Sequence, residues 1–306
     1  MKNCCRVCCC AIFCCTCCRK TPLNVITEET RLLPKIEATR ADLEGEELYV
    51  FGAAPPNLKK VLLEGYGRKP VTKIVCGKSH CIILLTNNRL IGFGSNVEGQ
   101  LGLPLETKVC EQITQLTINL PNINMENSTI LDIAAGDEFS LILIRTQDNH
   151  TSLVYFGTDI INKYANIPNT TCQKLEKLPE DVESISKIIA FEKRKIFCTD
   201  DNQIFVGGRD FSGTEIDEYI SLKKFDTRIK NIFLQKESCI VQDENNNIFG
   251  LGDNSYKELG IGFNFSMNEF RKLGFKFSKS PIKKICSGAR HLLIGLLLNL
   301  NPNFLN

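Results

Sequence analysis

The residue type most able to do chemistry here is cysteine, and it is crowded at one end. Cys4, Cys5, Cys8, Cys9, Cys10, Cys14, Cys15, Cys17 and Cys18 make nine thiols in the first eighteen residues. Clustered thiolates bind soft metals, and cysteines beside apolar and basic residues accept thioester-linked acyl chains. The fillers Val7, Ala11, Ile12 and Phe13 are apolar, whereas metal-binding tracts usually space their cysteines with polar residues. Lys2, Arg6, Arg19 and Lys20 suit an anionic membrane surface. A signal peptide needs an unbroken apolar core and a small-residue cleavage site, and Arg6 interrupts the run. Acylation is therefore the leading reading, with metal binding and a signal sequence as alternatives. Lys2 stands where N-myristoylation requires glycine, so the cysteines must supply the lipid. Each buried CH₂ contributes ~0.8 kcal/mol and two chains already anchor stably, a threshold that nine sites far exceed.

Away from this tail, chemistry is sparse. There are three histidines, no Gly-rich phosphate loop, no His-x-Glu pairing and no Cys/His spacing for zinc. No catalytic residue, metal or cofactor is expected, which points to a binding module and not an enzyme. The other seven cysteines (Cys76, Cys81, Cys110, Cys172, Cys198, Cys239, Cys286) are odd in number and scattered through apolar runs. Free thiols in such runs behave as small buried hydrophobes and suit a reducing compartment. A formal charge of +2 gives no basic excess for a phosphate backbone, so nucleic acid is not an expected partner. No apolar run reaches the ~18 residues of a transmembrane helix.

The elements that position these residues repeat. Anchored on Gly77, Gly136, Phe191, Gln235 and Gly288, five similar segments recur at intervals of roughly 45 to 60 residues, the spacing of propeller blades. Each has an apolar alternating stretch, a tight turn and a second apolar strand. The first four add a polar break and a third strand ending in Gly94, Gly157, Gly208 or Gly252. The breaks "TNNR", "TQDNHTS", "TDDNQ" and "QDENNN" are Asn/Asp clusters that tolerate positive φ, which is hairpin chemistry. A weaker fourth strand follows at "EQITQL", "TCQKLEKL", "EYISLKKF" and "EFRKLGF".

Two motifs stand in register across these repeats. "FGSNVEGQLGL" at 93–103 is echoed by "LGDNSYKELGIG" at 251–262 and more weakly by "GRDFSGTEI" at 208–216. "CGKSHC" at 76–81 is echoed by "SGARHL" at 287–292. Together they resemble the regulator of chromosome condensation repeat, whose family forms β-propellers, over roughly residues 48–294. The chain departs from that pattern in two ways. The aromatic before the strand-ending Gly, Trp in the family, is Phe51, Phe93 and Phe156, then Gly207 and Leu251. The turn histidine survives at His80 and His291 but becomes Phe139, Arg194 and Ser238 elsewhere.

His80 and His291 invite a general-base reading. They recur in separate blades, which an active site would not, so a structural hydrogen bond to a neighbouring turn is expected. Asn96 and Asn254 are read as Asx-type turn formers, and Gly77, Gly99, Gly102, Gly136 and Gly288 as turn glycines. The resemblance implies either an adaptor or a guanine-nucleotide exchange factor for a small GTPase. In the family, exchange relies on acidic and His side chains on one propeller face and an inserted hairpin wedge. No clear wedge is present; the 103–130 and 158–185 connections are long but ordinary for blade linkers.

The expected organisation is a Cys-rich membrane-anchor segment at 1–20, a linker at 21–46, a β-propeller at 47–298 and a tail at 299–306. The fold expected is all-β, a single propeller of about five four-stranded blades. The last blade lacks a good third strand, because Pro302 is disfavoured in a strand interior. Leu48–Gly52 is an orphan third strand at the other end. It is predicted to pair with the 282–297 hairpin and close the ring. The functional expectation is a monomeric scaffold that recruits a protein partner, a small GTPase being one candidate, at the cytoplasmic face of a membrane, with a cytosolic pool.

Overall fold

The structure, a computed structural model, describes residues 48–50, 59–61, 71–121, 123–157, 172–262, 264–275 and 282–296. The tail cysteines, the 21–46 segment, Phe51, residues 158–171 of the 158–185 connection and residues 299–306 lie outside this set.

Four antiparallel four-stranded sheets follow one another along the chain. The first is β3 (Val71–Cys76), β4 (His80–Leu85), β5 (Leu90–Ser95) and β6 (Val109–Leu116). The second is β7 (Thr129–Ala135), β8 (Phe139–Arg145), β9 (Thr151–Gly157) and β10 (Gln173–Leu175). The third is β11 (Ile185–Phe191), β12 (Arg194–Thr199), β13 (Gln203–Arg209) and β14 (Glu215–Lys224). The fourth is β15 (Ile229–Leu234), β16 (Ser238–Asp243), β17 (Ile248–Gly252) and β18 (Met267–Lys272). A two-stranded hairpin, β19 (Ile282–Ser287) and β20 (Leu292–Leu296), is the last sheet among the described residues. First strands lie beside first strands, β3 on β7, β7 on β11, β11 on β15 and β15 on β19. That is the arrangement of propeller blades about an axis.

The second strands explain why the apolar runs are continuous. In β8, Ile142 and Ile144 enter the core shared with the first blade, while Leu141 and Leu143 enter the core shared with the third. In β12, Phe197 faces the second blade, and Ile196 and Cys198 face the fourth. A strand with both faces buried has no use for polar alternation. The hairpins joining second to third strands place Asn88, Asn149, Asn202 and Asn246 at φ 64°, 69°, 68° and 61°. Each is one of the Asn/Asp clusters in which positive φ was expected.

The expected ring closure is not found. β1 (Leu48–Val50) pairs antiparallel with β2 (Lys59–Val61), and these two form a separate two-stranded sheet. Among the described residues neither joins the β19–β20 hairpin. "LKKVLL" offers Leu48–Val50 a partner a few residues away, and closing a short loop costs less entropy than bridging the chain ends.

Candidate functional site

One face of the blade array collects two kinds of loop. The turns between first and second strands (77–79, 136–138, 192–193, 235–237, 288–291) lie at the end where each third strand returns and its loop begins. The two are clamped together by the strand-ending glycines. Gly94, Gly208 and Gly252 have φ 102°, 77° and 103°. A Cβ on them would stand 2.5, 2.2 and 2.2 Å from the carbonyls of Ser79, Lys193 and Glu237. Gly157, at φ 145°, stands likewise against Glu138. Ser95 N–H and Asp253 N–H then bond the Ser79 and Glu237 carbonyls, both at 2.8 Å.

The residue that follows the turn differs from blade to blade, and so do the contacts made there to the next blade. His80 is buried, with Nε2 2.8 Å from Ser140 Oγ in the second blade. Ser140 Oγ donates its proton to the Gln100 carbonyl, so it accepts from His80 Nε2–H. Nδ1 is left bare, buried and without a partner. Burial accordingly pushes the His80 pKa down to about 4, against a backbone hydrogen bond that raises it. The ring is neutral at pH 7. Its edge lies against Gly77, where no Cβ would fit.

At the next turn the Phe139 ring covers Gly136 and stacks on Tyr155 at 5.4 Å, while Asp137 N–H bonds the Glu192 carbonyl at 2.8 Å. Arg194, only 1% exposed, donates Nη1 to the Lys236 carbonyl at 2.9 Å, Nη2 to the Asp210 carbonyl at 2.8 Å and Nε to the Arg209 carbonyl at 3.1 Å. Its guanidinium also meets the Glu237 carboxylate at 3.4 Å and covers the Phe211 ring. Burial lowers its pKa and Glu237 opposes the shift. Ser238 Oγ donates to Gln235 Oε1 at 2.5 Å, and Gln235 Nε2 donates to the His291 carbonyl at 2.9 Å. Lys236 N–H bonds the Ala289 carbonyl at 3.0 Å. The His291 ring is exposed and lies over Gly288, so it does not occupy a buried seat like that of His80.

Two third-strand loops wind about a buried asparagine. Asn96 Oδ1 accepts from Leu101 N–H at 3.0 Å, and its amide donates to the Thr107 carbonyl at 2.9 Å. Asn254 Oδ1 accepts from Leu259 N–H at 2.9 Å. Gly99 (φ 73°) abuts Cys172 and Gly102 (φ 66°) abuts the Phe156 ring, both side chains of the second blade. Lys257, in the place of Gly99, takes φ 61°.

The third blade replaces this wound loop with a short turn capped by Asp210, whose Oδ1 accepts from Ser212 N–H at 2.9 Å and Thr214 N–H at 2.8 Å. The shorter loop leaves a cleft of about 560 Å³ between the third and fourth blades. Arg209, Asp210, Glu237 and Asp253 supply its charge; Phe211 and Met267 supply apolar wall. Burial opposes ionisation of Asp210, but bonds from Ser212 and Thr214 outweigh it and hold the carboxyl below its ordinary value. Ser255 and Ser266 lower Asp253 in the same sense. The cleft thus sets two turn-held carboxylates, Asp210 and Asp253, beside an apolar wall, while Glu237 is shared between Arg194 and Arg209. Sequence reading missed it; the only signal was the weak echo at 208–216, where the wound loop is cut short.

Residues 71–100 match the regulator of chromosome condensation (RCC1) repeat. Mouse (Mus musculus) alsin is 28% identical over 106 residues, 35% of this chain and 6% of alsin. Human (Homo sapiens) protein RCC2 is 26% identical over 144 residues, 47% of this chain and 25% of RCC2. The chain thus matches a quarter or less of each relative's length. Human WBSCR16 shares the fold with a TM-score of 0.62 at 13% identity, over 79% of this chain and 61% of that one. Yeast RCC1 (Prp20), solved with Kap60, gives 0.58 at 15%, over 80% and 57%. The chain therefore carries a regulator of chromosome condensation repeat at 71–100 and, through the blades that extend it, shares the fold of RCC1 propellers.

Proposed function

We propose that this protein is an interaction scaffold that presents the turn-bearing face of its blades to a protein partner. The observation that carries the reading is the cleft between the third and fourth blades, where fixed carboxylates converge on an apolar wall. Proximity labelling with the full chain, compared with a Ser266→Arg/Asn268→Arg variant that fills the cleft from exposed positions, tests it. Labelled partners should be lost in the variant at unchanged melting temperature. Identical labelling by both proteins counts against the cleft.

Regulation of a small GTPase is the second reading. It is favoured by the fold likeness to Prp20p, a protein whose binding to Gsp1p and histones has been characterised. The purified chain should release nucleotide from none of a panel of small GTPases if it is a scaffold. Robust exchange on any one of them promotes the second reading.

The nine tail cysteines are proposed to be acylated, which would hold the scaffold at the cytoplasmic face of a membrane, non-acylated chains forming a cytosolic pool. Membrane fractionation tests this. Replacement of all nine by Ser, or thioester cleavage with hydroxylamine, should move the protein to the soluble fraction. Stoichiometric zinc on the tail, or a wild type that is soluble from the start, overturns it.

A further inference from the structure

The first blade holds a pair of thiols that the binding reading does not use. Cys76 ends β3 and Cys81 is the second residue of β4, and the two are cross-strand partners. The Gly77 N–H bonds the His80 carbonyl at 2.9 Å and closes the turn. Cys76–Cys81 is therefore the adjacent non-hydrogen-bonded pair, in which Cα atoms approach to about 4.5 Å and side chains share a face. That separation lies within the range a disulfide spans. The sulfurs are already 3.5 Å apart, and both cysteines are free. Cys76 is only partly buried, so a soluble oxidant can reach it; Cys81 is buried behind it. The same cross-strand site is Ala135–Ser140, Ala190–Lys195, Leu234–Cys239 and Ser287–Leu292 in the other units, so the fold does not require thiols there.

We propose that Cys76 and Cys81 are a reversible thiol–disulfide site, with Cys76 the attacking thiol and a low-molecular-weight disulfide such as oxidised glutathione the oxidant. The Cys76 thiolate attacks one sulfur of the oxidant, forming a mixed disulfide and expelling one glutathione thiolate. Cys81, having lost its proton to water, attacks the Cys76 sulfur and expels the second. Two protein thiols are oxidised, one glutathione disulfide is reduced to two thiols, and the two protons end on glutathione. The order follows from the microenvironment. A hydrogen bond from Cys81 stabilises the Cys76 thiolate and lowers its pKa against the effect of burial. The same bond, burial and the neighbouring charge raise Cys81. The bond formed would bridge the base of the turn that carries His80, and so stiffen the contact with Ser140 of the second blade.

Trypsin cuts after Lys78, between the two cysteines, so the disulfide is read directly as a joined pair of peptides, 74–78 and 79–89. The full chain, with Ser at the nine tail positions, is equilibrated against oxidised and reduced glutathione, quenched with iodoacetamide and digested. The joined pair should appear with oxidant and vanish with reductant. Cys76 should alkylate at least ~10-fold faster than the buried Cys239. In Cys81→Ser, which keeps Cys76 but cannot resolve it, glutathione should stay on Cys76. Hydrogen exchange at 77–80 should slow in the oxidised wild type. Glutathione persisting on Cys76 in the wild type without a joined pair overturns the proposal. So does Cys76 joined to some other cysteine, or a Cys76 no more reactive than Cys239.

Discussion

At the scale of single residues, the position that follows the turn carries the clearest consequences. An unfolded histidine titrates near 6.5, whereas folded His80 is held at about 4 because burial disfavours its charged form. Between those values the unfolded chain binds the extra proton. Stability from this group is complete above about 6.5, falls as pH drops, and levels off below about 4. The full loss is roughly 3 kcal/mol. Denaturant melts across that range should show the slope in the wild type and lose most of it in His80→Gln, which cannot titrate. Arg194 is the opposite case, a charge kept buried because three carbonyls and Glu237 surround it. Arg194→Met leaves those carbonyls unpaired and should cost about 3 kcal/mol. Adding Glu237→Gln should restore part of the loss, a coupling that a double-mutant cycle measures.

At the scale of elements, one loop is strained where its counterpart is not. Lys257 takes φ 61° where the first blade has Gly99 at 73°, and a lysine there costs roughly 1–2 kcal/mol. Lys257→Gly should raise stability by up to about 1 kcal/mol, the rest being offset by the greater freedom of unfolded glycine. Gly99→Ala should lose more, since a Cβ there meets Cys172 as well. A thermal melt of each variant decides. The same elements mark what a sequence discloses. Asn88, Asn149, Asn202 and Asn246 announce their hairpins because few other residues accept positive φ, and the strand-ending glycines stand out for the same reason. Arg194 is marked in the sequence only as a replacement of the turn histidine, and its buried role is not legible because three of its partners are backbone carbonyls, which every residue possesses. The cleft is equally silent, being made by a loop that is shorter and not by any motif. The partner of Leu48–Val50 is not legible, because Lys59–Val61 is a three-residue strand outside the repeat pattern.

At the scale of the whole molecule, each blade leans on its neighbours. Strands β8 and β12, which serve two cores at once, should be the slowest to exchange their amides. The β19–β20 hairpin, which leaves Leu293 67% exposed, should be among the fastest. Uniform protection across all units would contradict this gradient. The five turn positions also bear on assembly order. Blades that adhered through identical contacts would be interchangeable, and a folding chain could dock its third unit where its second belongs. Here His80 needs a serine opposite it, Arg194 needs the Lys236 carbonyl and a carboxylate, and Gln235 needs a turn placed like that of His291. These three junctions therefore recognise their own successors, and the sequence of locks works as an address written around the axis. A gene that exchanges the second and third blades while keeping every residue should encode a chain with the same composition and the same strands, but without a cooperative melt.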